Sequence, residues 1–351
     1  MLGYDLNIIE RGIRGIFARE FLTRQRKAKY PTFCTVVDSD KQTERYNAIS
    51  TLPQLQEMGD ERIMSGFSEY SYDIQNKVYA TGIKVPRTLF EFDQTGQLRT
   101  LVQSLGARVA NFPDTLVFAL LGTCETAASY DKVAFCSALH DLGDGVQQNN
   151  LLTPGALTNT LIAGTTKANR DDAIAAFQQN LRTAKAMLLE LNDDRGEPWH
   201  EDAEPEGLVI LCHPRAEFFV RTALEASIIS DTGNITVKSV GRVLTSNRPG
   251  AFKVSGTLRY GTWYLMKVDT PIMPMIFQRF GPKVDFPDTI PEADQAPLQA
   301  LSAVEIQTIM RTGSDISEVT FYDDEFLFGA RVLYSAGWGM WQNVVRVNGA
   351  P

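Results

Sequence analysis

The stretch Phe321–Val347 constrains this chain more than any other. Asp323, Asp324 and Glu325 form an acidic turn, after which aromatic and β-branched residues run almost to the end. A Phe-Gly-x-Arg step (Phe328 to Arg331) and two tryptophans three apart, Trp338 and Trp341, lie within that run. Such a composition reads as strand. The spacing of Phe328, Trp338 and Trp341 predicts packed side chains rather than a ligand-stacking patch. A strand-rich C-terminal hairpin is expected here.

Earlier segments supply the other elements. Ile8, Ile9, Ile13, Ile16, Phe17 and Phe21 recur at helical spacing and predict an amphipathic N-terminal helix. Tyr30 to Asp60 is polar and mixed, with Pro31 and Pro53 as breakers, and is expected to be extended with one short helix over Leu52–Met58. A segment of that kind should bury its apolar side chains on another surface. Tyr70, Tyr72 and Ile74 alternate before Gln75-Asn76, and Val78, Ala80, Ile83 and Val85 follow it. The pattern predicts a long two-stranded hairpin ended by Pro86. Such a hairpin is marginal alone in water, so it implies a partner surface.

Leu98, Leu101, Leu105, Val109, Phe112, Leu116 and Leu120 form a stripe over residues 97–121, a helix that Pro113 should bend or split. Arg170–Leu191 predicts a second helix. Leu208–Cys212 is a buried strand and Pro214 starts another helix. Strands are expected at Ile235–Leu244, Thr262–Val268, Met273–Phe280 and Glu318–Phe321. Gly281–Pro297 reads as a proline-rich surface loop, followed by a short amphipathic helix over Leu298–Met310.

Composition narrows the function. With 44% hydrophobic and 22% charged residues over 351 positions, the chain reads as a soluble globular protein of two domains, or one elaborated domain. Its longest apolar run, Thr115–Cys124, is about half the ~20 residues of a membrane span. No secretion signal is expected. Four scattered cysteines suit reduced thiols better than a disulfide framework. The net charge of −8 divides unevenly: residues 1–30 hold seven cations against Asp5, Glu10 and Glu20, giving +4 there and −12 elsewhere. The acidic body argues against sequence-specific nucleic-acid recognition. The basic segment suits a polyanion, a neighbouring subunit, or a solvated helix face.

Motifs for catalysis are weak. Cys124, Cys136, His140, Cys212 and His213 lack zinc-module spacing. Cys136 with His140 and Asp141 invites a cysteine-nucleophile reading, but such groups usually come from distant segments. Asp141–Gly145 and Asn192–Glu197 lack the ligand periodicity of a calcium loop. Gly12-Ile13-Arg14-Gly15 has the spacing of a nucleic-acid-clamping loop, which the helical period around it contradicts. No phosphate loop, nucleophile elbow or dinucleotide fingerprint occurs. Neither an enzyme nor a cofactor or metal site is expected.

An ordered set of local patterns then resembles the Mu-like phage major head subunit, the gpT family. The set comprises Ala18 to Phe21, Tyr46 through Leu52-Pro53 to Gly59 and Arg62, Ile74-Gln75-Asn76-Lys77, and Val85-Pro86-Arg87. It continues with Tyr130-Asp131, Phe135 and His140, then Phe328 to Arg331 and Gly339 to Gln342. Lys132 and Cys136 depart from the family pattern, and residues 281–317 look like a longer insertion. The resemblance implies an α+β, Hong Kong 97-type phage capsid fold. Its parts would be an N-terminal arm (1–60), an extended hairpin (61–92), a peripheral domain with a spine helix (93–145), an axial domain (146–269) and a peripheral return (270–351).

The implied function is a major capsid protein that assembles through pentamers and hexamers into an icosahedral phage head around double-stranded DNA, contacted non-specifically. An encapsulin-like nanocompartment shell is the alternative. Residues expected at subunit interfaces are Ile13, Phe17, Phe21, Tyr72, Ile74, Lys77, Val78 and Trp341. Lys77 and Lys84 raise the isopeptide link that some shells of this fold form. The short lead before the hairpin implies a separate scaffolding protein; a portal and a decoration protein are further expected partners, and no membrane is. The location implied is the virion, with assembly in the host bacterial cytoplasm.

Overall fold

The computed structural model describes residues 6–49, 69–88, 96–141, 145–153, 156–193, 196–226, 240–287, 289–309 and 325–350. The chain opens with helix α1 (Leu6–Gln25), then strands β1 (Cys34–Ser39), β2 (Thr43–Ile49), β3 (Glu69–Gln75) and β4 (Lys77–Pro86). Helices α2 (Gln97–Ala110) and α3 (Phe112–Leu121) follow, then β5 (Leu151–Leu152), α4 (Asn159–Ala163) and α5 (Lys167–Leu189). After β6 (Leu208–Cys212), α6 (Pro214–Ala226) and β7 (Arg242–Thr245) come the short β8 (Lys253–Val254) and β9 (Thr257–Leu258). The return comprises β10 (Trp263–Lys267), β11 (Met275–Phe280), α7 (Glu292–Ser302), β12 (Val304–Ile309), β13 (Glu325–Trp338) and β14 (Val344–Val347).

Two five-stranded sheets organise these elements. The first runs β1-β11-β13-β12, with β4 on the other flank of β13. The second runs β5-β14-β10-β6-β7. One hydrophobic core extends through both. The expected helix over 97–121 is split as Pro113 predicts, at Asn111, whose N–H still bonds the Ala107 carbonyl. The helix expected over 170–191 and the strands at 208–212 and 262–268 are present, with small shifts of boundary.

Several expectations change. The arm is not detached. Ile13, Phe17 and Phe21 are buried in the chain's own core, where α1 lies along α2. Gly106 permits that approach: a Cβ there would sit 3.0 Å from the Phe17 carbonyl oxygen. Beyond α1, the Asp114 carboxylate accepts hydrogen bonds from the Lys29 and Tyr30 N–H groups at 3.1 and 2.8 Å. β1 then pairs in parallel with β11, with its Asp38 carboxylate bound to Arg279.

The hairpin expected across Gln75-Asn76 is absent, because β3 and β4 have different partners. β3 pairs antiparallel with β2 in a separate ribbon, and β4 pairs along its length with β13. Asn76 marks the crossing between them. Its side-chain nitrogen donates to Ser39 Oγ (2.9 Å) and to the Lys41 carbonyl (2.8 Å), and its N–H donates to the Gln42 carbonyl (2.9 Å).

The C-terminal hairpin is also absent: β13 belongs to the first sheet, whereas β14 pairs with β10 and β5 in the second. The proline-rich insertion holds α7, with Pro297 inside it, and residues 304–309 are strand β12 rather than helix. The short helix expected over 52–58, the strand over 318–321 and the first half of the strand expected over 235–244 lie outside the described residues, while the second half of the last holds β7.

Candidate assembly surface

The β2–β3 ribbon leaves the body near the cross-strand pair Tyr46 and Tyr72. Ile74 is buried at its root, with its Cδ1 seated where a side chain at Gly337 would lie. Arg45 and Asp73 face each other one step away and form an ion pair at 2.9 Å. That pair holds the Asp73 carboxyl below its ordinary range. The ribbon is thus fixed at its base by packing and hydrogen bonds, whereas Thr43, Arg45, Ser71 and Asp73 are exposed on its sides.

β4 forms a flank of the first sheet and begins with two exposed residues, Lys77 and Val78; Val78 is 55% exposed. Between β4, β13 and the helices α2 and α3 runs a groove of about 440 Å³. Val78, Ala80, Arg108, Phe112, Ala330 and Val332 are among its lining residues. A flank of this length offers main-chain groups and apolar side chains together, a combination that invites another chain. Lys84, farther along β4, is held by Glu325 at 3.3 Å.

The eight residues expected at interfaces therefore separate. Lys77 and Val78 lie together on exposed β4, and Tyr72 is half-buried at the ribbon root. Ile13, Phe17, Phe21, Ile74 and Trp341 are buried within their own chain, so as folded here they act as core. Trp341 is 0% exposed and stacks on His140 with ring centroids 3.9 Å apart; Phe328 and Trp338 are buried as well. From sequence Asn76 reads as a turn residue rather than as a link to Ser39 and Lys41, and Gly337 is not singled out. The signals were faint: an Asn at a turn-like step, and one glycine among several near the tryptophans.

The catalytic constellations do not assemble as drawn from sequence. His140 Nδ1 lies 2.5 Å from the Asp131 carboxylate, both fully buried, rather than beside Asp141. Cys124 accepts a hydrogen bond from Arg346 Nη1 at 2.6 Å. Despite burial, the neighbouring Cys136 thiol and that guanidinium lower the Cys124 thiol to about 7. Arg346 also bonds Asn348 Oδ1 (2.8 Å), the Lys253 carbonyl (2.7 Å) and Glu125 (3.0 Å). The group ties β14 to the turn after α3, and its thiol is sealed from solvent. Among the described residues no cluster of three metal-ligating side chains occurs, and no helix is long and apolar enough to cross a membrane.

Comparison with known proteins adds to this geometry. Residues 6–168 match the family model of the Mu-like prophage major head subunit gpT. The Mu-like prophage FluMu major head subunit of Haemophilus influenzae is 27% identical over 189 residues, covering 51% of this chain and 61% of that one. The major capsid protein of Escherichia phage Mu is 26% identical over 132 residues, covering 36% of this chain and 43% of that one. The chain thus spans less than two thirds of either relative's length. Among solved structures, the capsid of cyanophage P-SCSP1u matches with a TM-score of 0.51, 8% identity, 92% of this chain and 88% of that one. The mature capsid of bacteriophage PhiM1 matches with a TM-score of 0.50, 10% identity, 92% of this chain and 87% of that one. The fold is that of a phage capsid subunit, α+β and of the Hong Kong 97 type.

Proposed function

We propose that this relative of the Mu-like head subunits is a major capsid protein, which builds the icosahedral head of a tailed phage or Mu-like prophage from pentamers and hexamers of itself. One observation supports the reading most: a capsid-type fold that is closed over its own core yet presents an anchored ribbon and an open, partly apolar β4 flank. Such a chain does its work by binding copies of itself. The proposed contact sets the β2–β3 ribbon of one subunit over the β4 groove of the next, with Tyr72, Lys77 and Val78 as its residues.

The domain assignment follows the two sheets. The first sheet with α1, α2 and α3 corresponds to the peripheral domain, and the second sheet with α5 and α6 to the axial domain. The buried arm shifts the physical basis for assembly. Cover for α1 comes from its own chain, so this reading places the assembly energy in the ribbon and β4 rather than in α1. Burying on the order of 1,000 Å² of apolar surface there would gross about 25 kcal/mol before ordering costs, ample for a stable shell.

Proposed partners are further copies of the chain, a separate scaffolding protein, a portal, a decoration protein and the packaged double-stranded DNA. The location proposed is the virion, after assembly in the host bacterial cytoplasm. No catalytic turnover belongs to this role. A second reading, a nanocompartment shell of the same fold, draws on the position of α1 along α2, where a lumenal cargo helix would lie.

Electron microscopy of the purified chain, expressed with and without its scaffolding partner, tests the main reading. Closed shells are the expected result, and Val78→Asp should prevent them while leaving the melting temperature within about 1 °C, as for other exposed substitutions. Particles that protect double-stranded DNA from nuclease identify a phage head; DNA-free particles enclosing a protein cargo identify the nanocompartment. A monomer at high concentration under every condition would refute both.

A further inference from the structure

The N-terminal helix carries a charge pattern that the core does not explain. Over residues 10–30 every exposed charged side chain is a cation: Arg11, Arg14, Arg19, Arg24, Arg26 and Lys27. The two carboxylates of that span, Glu10 and Glu20, are half-buried and already paired with Arg14 and Arg24 at 2.7 and 2.8 Å. Arg26 reaches Asp294 at 2.9 Å. α2 adds Arg99 and Arg108, and the described stretch 96–111 has no acidic residue. Eight exposed cations therefore sit on two adjacent helices and the turn that follows α1, in a chain whose net charge is −8.

The two helices share one side of the molecule. α2 lies against β4, on one flank of β13, and α1 touches α7 and bonds Thr308 of β12, on the opposite flank. Their apolar faces point into one core, leaving the outward faces side by side. Arg11, Arg19, Lys27, Arg99 and Arg108 have no carboxylate partner among the described residues. Glu292 is an exposed anion on α7, which packs against α1.

A second observation concerns the floor of the surface. Gly12 and Gly15 are exposed in the interior of α1, and nothing lies within 4 Å of where their Cβ atoms would be. Each costs the helix about 1 kcal/mol relative to alanine, and among the described residues no neighbour requires it. They leave the helix backbone open to a partner between Arg11, Arg14 and Arg19. From Arg11 to Arg24 the stripe extends about 20 Å at 1.5 Å per residue. A duplex presents one phosphate per ~1.7 Å of its axis, dense enough to engage every cation along that length.

We propose that the α1–α2 face is a sequence-independent binding surface for the phosphate backbone of double-stranded DNA, and so the surface of the shell subunit turned toward the packaged genome. The proposal deepens the capsid reading and rests on it for the direction the face takes in a particle. Cations that engage phosphates draw their affinity from counterion release, so binding has to fall steeply with salt. Long, mobile arginine side chains around a glycine floor suit a partner that adopts many registers. This also assigns a use to Gly12-Ile13-Arg14-Gly15, which is helix rather than clamping loop: it gives access rather than a grip.

The test measures binding of a random-sequence 30-base-pair duplex to the full-length subunit by fluorescence anisotropy, between 50 and 200 mM salt. Engaging the five unpaired cations predicts a log–log salt slope near −4.5, at about 0.9 per phosphate neutralised. The variant Arg11→Gln/Arg19→Gln/Lys27→Gln/Arg99→Gln, which leaves the groove residue Arg108 in place, should lose about 3.6 of that slope, and the variant with lysine at positions 11, 19 and 99 should keep it. Among the described residues these side chains make no ion pairs, so melting temperature and shell formation should be unchanged in both variants. An unchanged slope in the glutamine variant, with shells still forming, overturns the proposal and leaves the capsid reading standing. Polyglutamate binding as tightly as the duplex at equal charge overturns it in favour of an acidic protein partner. Failure of the wild-type chain to form shells, with duplex binding as described, overturns the capsid reading and leaves a DNA-binding face.

Discussion

Substituting Gly337 with alanine examines a place where the β2–β3 ribbon is seated on the body. The new Cβ would lie 2.2 Å from Ile74 Cδ1, 2.8 Å from its Cγ1 and 3.2 Å from Tyr72 Cε1. Carbon atoms rest at roughly 3.5–4.0 Å, so Ile74 has to withdraw by more than 1 Å from a buried site. Overpacking of this kind costs about 1–3 kcal/mol. Ile74→Ala removes both of the nearest atoms. Alone it should cost about 2–5 kcal/mol through the void it leaves. In that background Gly337→Ala should be neutral or stabilising, because its methyl fills part of the same void. The four chains, compared by denaturant unfolding of the subunit, should therefore show an interaction energy above ~1 kcal/mol. Strictly additive costs would refute the seating of Ile74 on Gly337, and with it the argument that the ribbon base is fixed.

Other groups give shorter tests. Trp341→Ala should cost about 3–5 kcal/mol, seen as loss of soluble protein, because it removes a fully buried indole and the stack on His140. Arg346→Met should cost about 3–5 kcal/mol by leaving Glu125 and the Lys253 carbonyl without their partner, and adding Glu125→Gln should recover part of that loss in thermal melts. Burial holds His200 below its ordinary 6.5, with its Nε2 donating to the Gln342 carbonyl at 3.0 Å. With a folded value below the unfolded one, its contribution is whole above pH 6.5 and is lost as pH falls through the folded value. The melting temperature should decline on acidification below pH 6.5, and His200→Gln should flatten that decline.

The sequence reveals strands and helices here better than it reveals partners. The stripe over 97–121 shows α2 and α3 and Pro113 shows their break, because both signals are local. Alternation marks β3 and β4 equally well, but pairing depends on residues far away: β4 meets β13, and β3 meets β2. Gln75-Asn76 looks like a hairpin turn because Asn is a turn residue; its amide instead bonds Ser39 and Lys41, which no local rule exposes. Val304–Ile309 has apolar residues at spacings that serve a helix or a strand, and the free edge of β13 decides for strand. The basic half of the surface was readable over residues 1–30. Arg99 and Arg108 joined it only when α2 was seen beside α1.

The register of β13 has a consequence for biosynthesis. β4 is translated early, yet its pairing partner lies about 240 positions downstream, where Pro86 meets Glu325. At 5–20 residues per second, roughly 10–50 s pass before that partner leaves the ribosome. Throughout that interval the nascent polypeptide displays Val78, Ile83 and Val85 with no complementary strand made. Its yield in a heterologous host should accordingly depend on holdase chaperones and on growth temperature more steeply than the stability of the finished subunit alone would suggest.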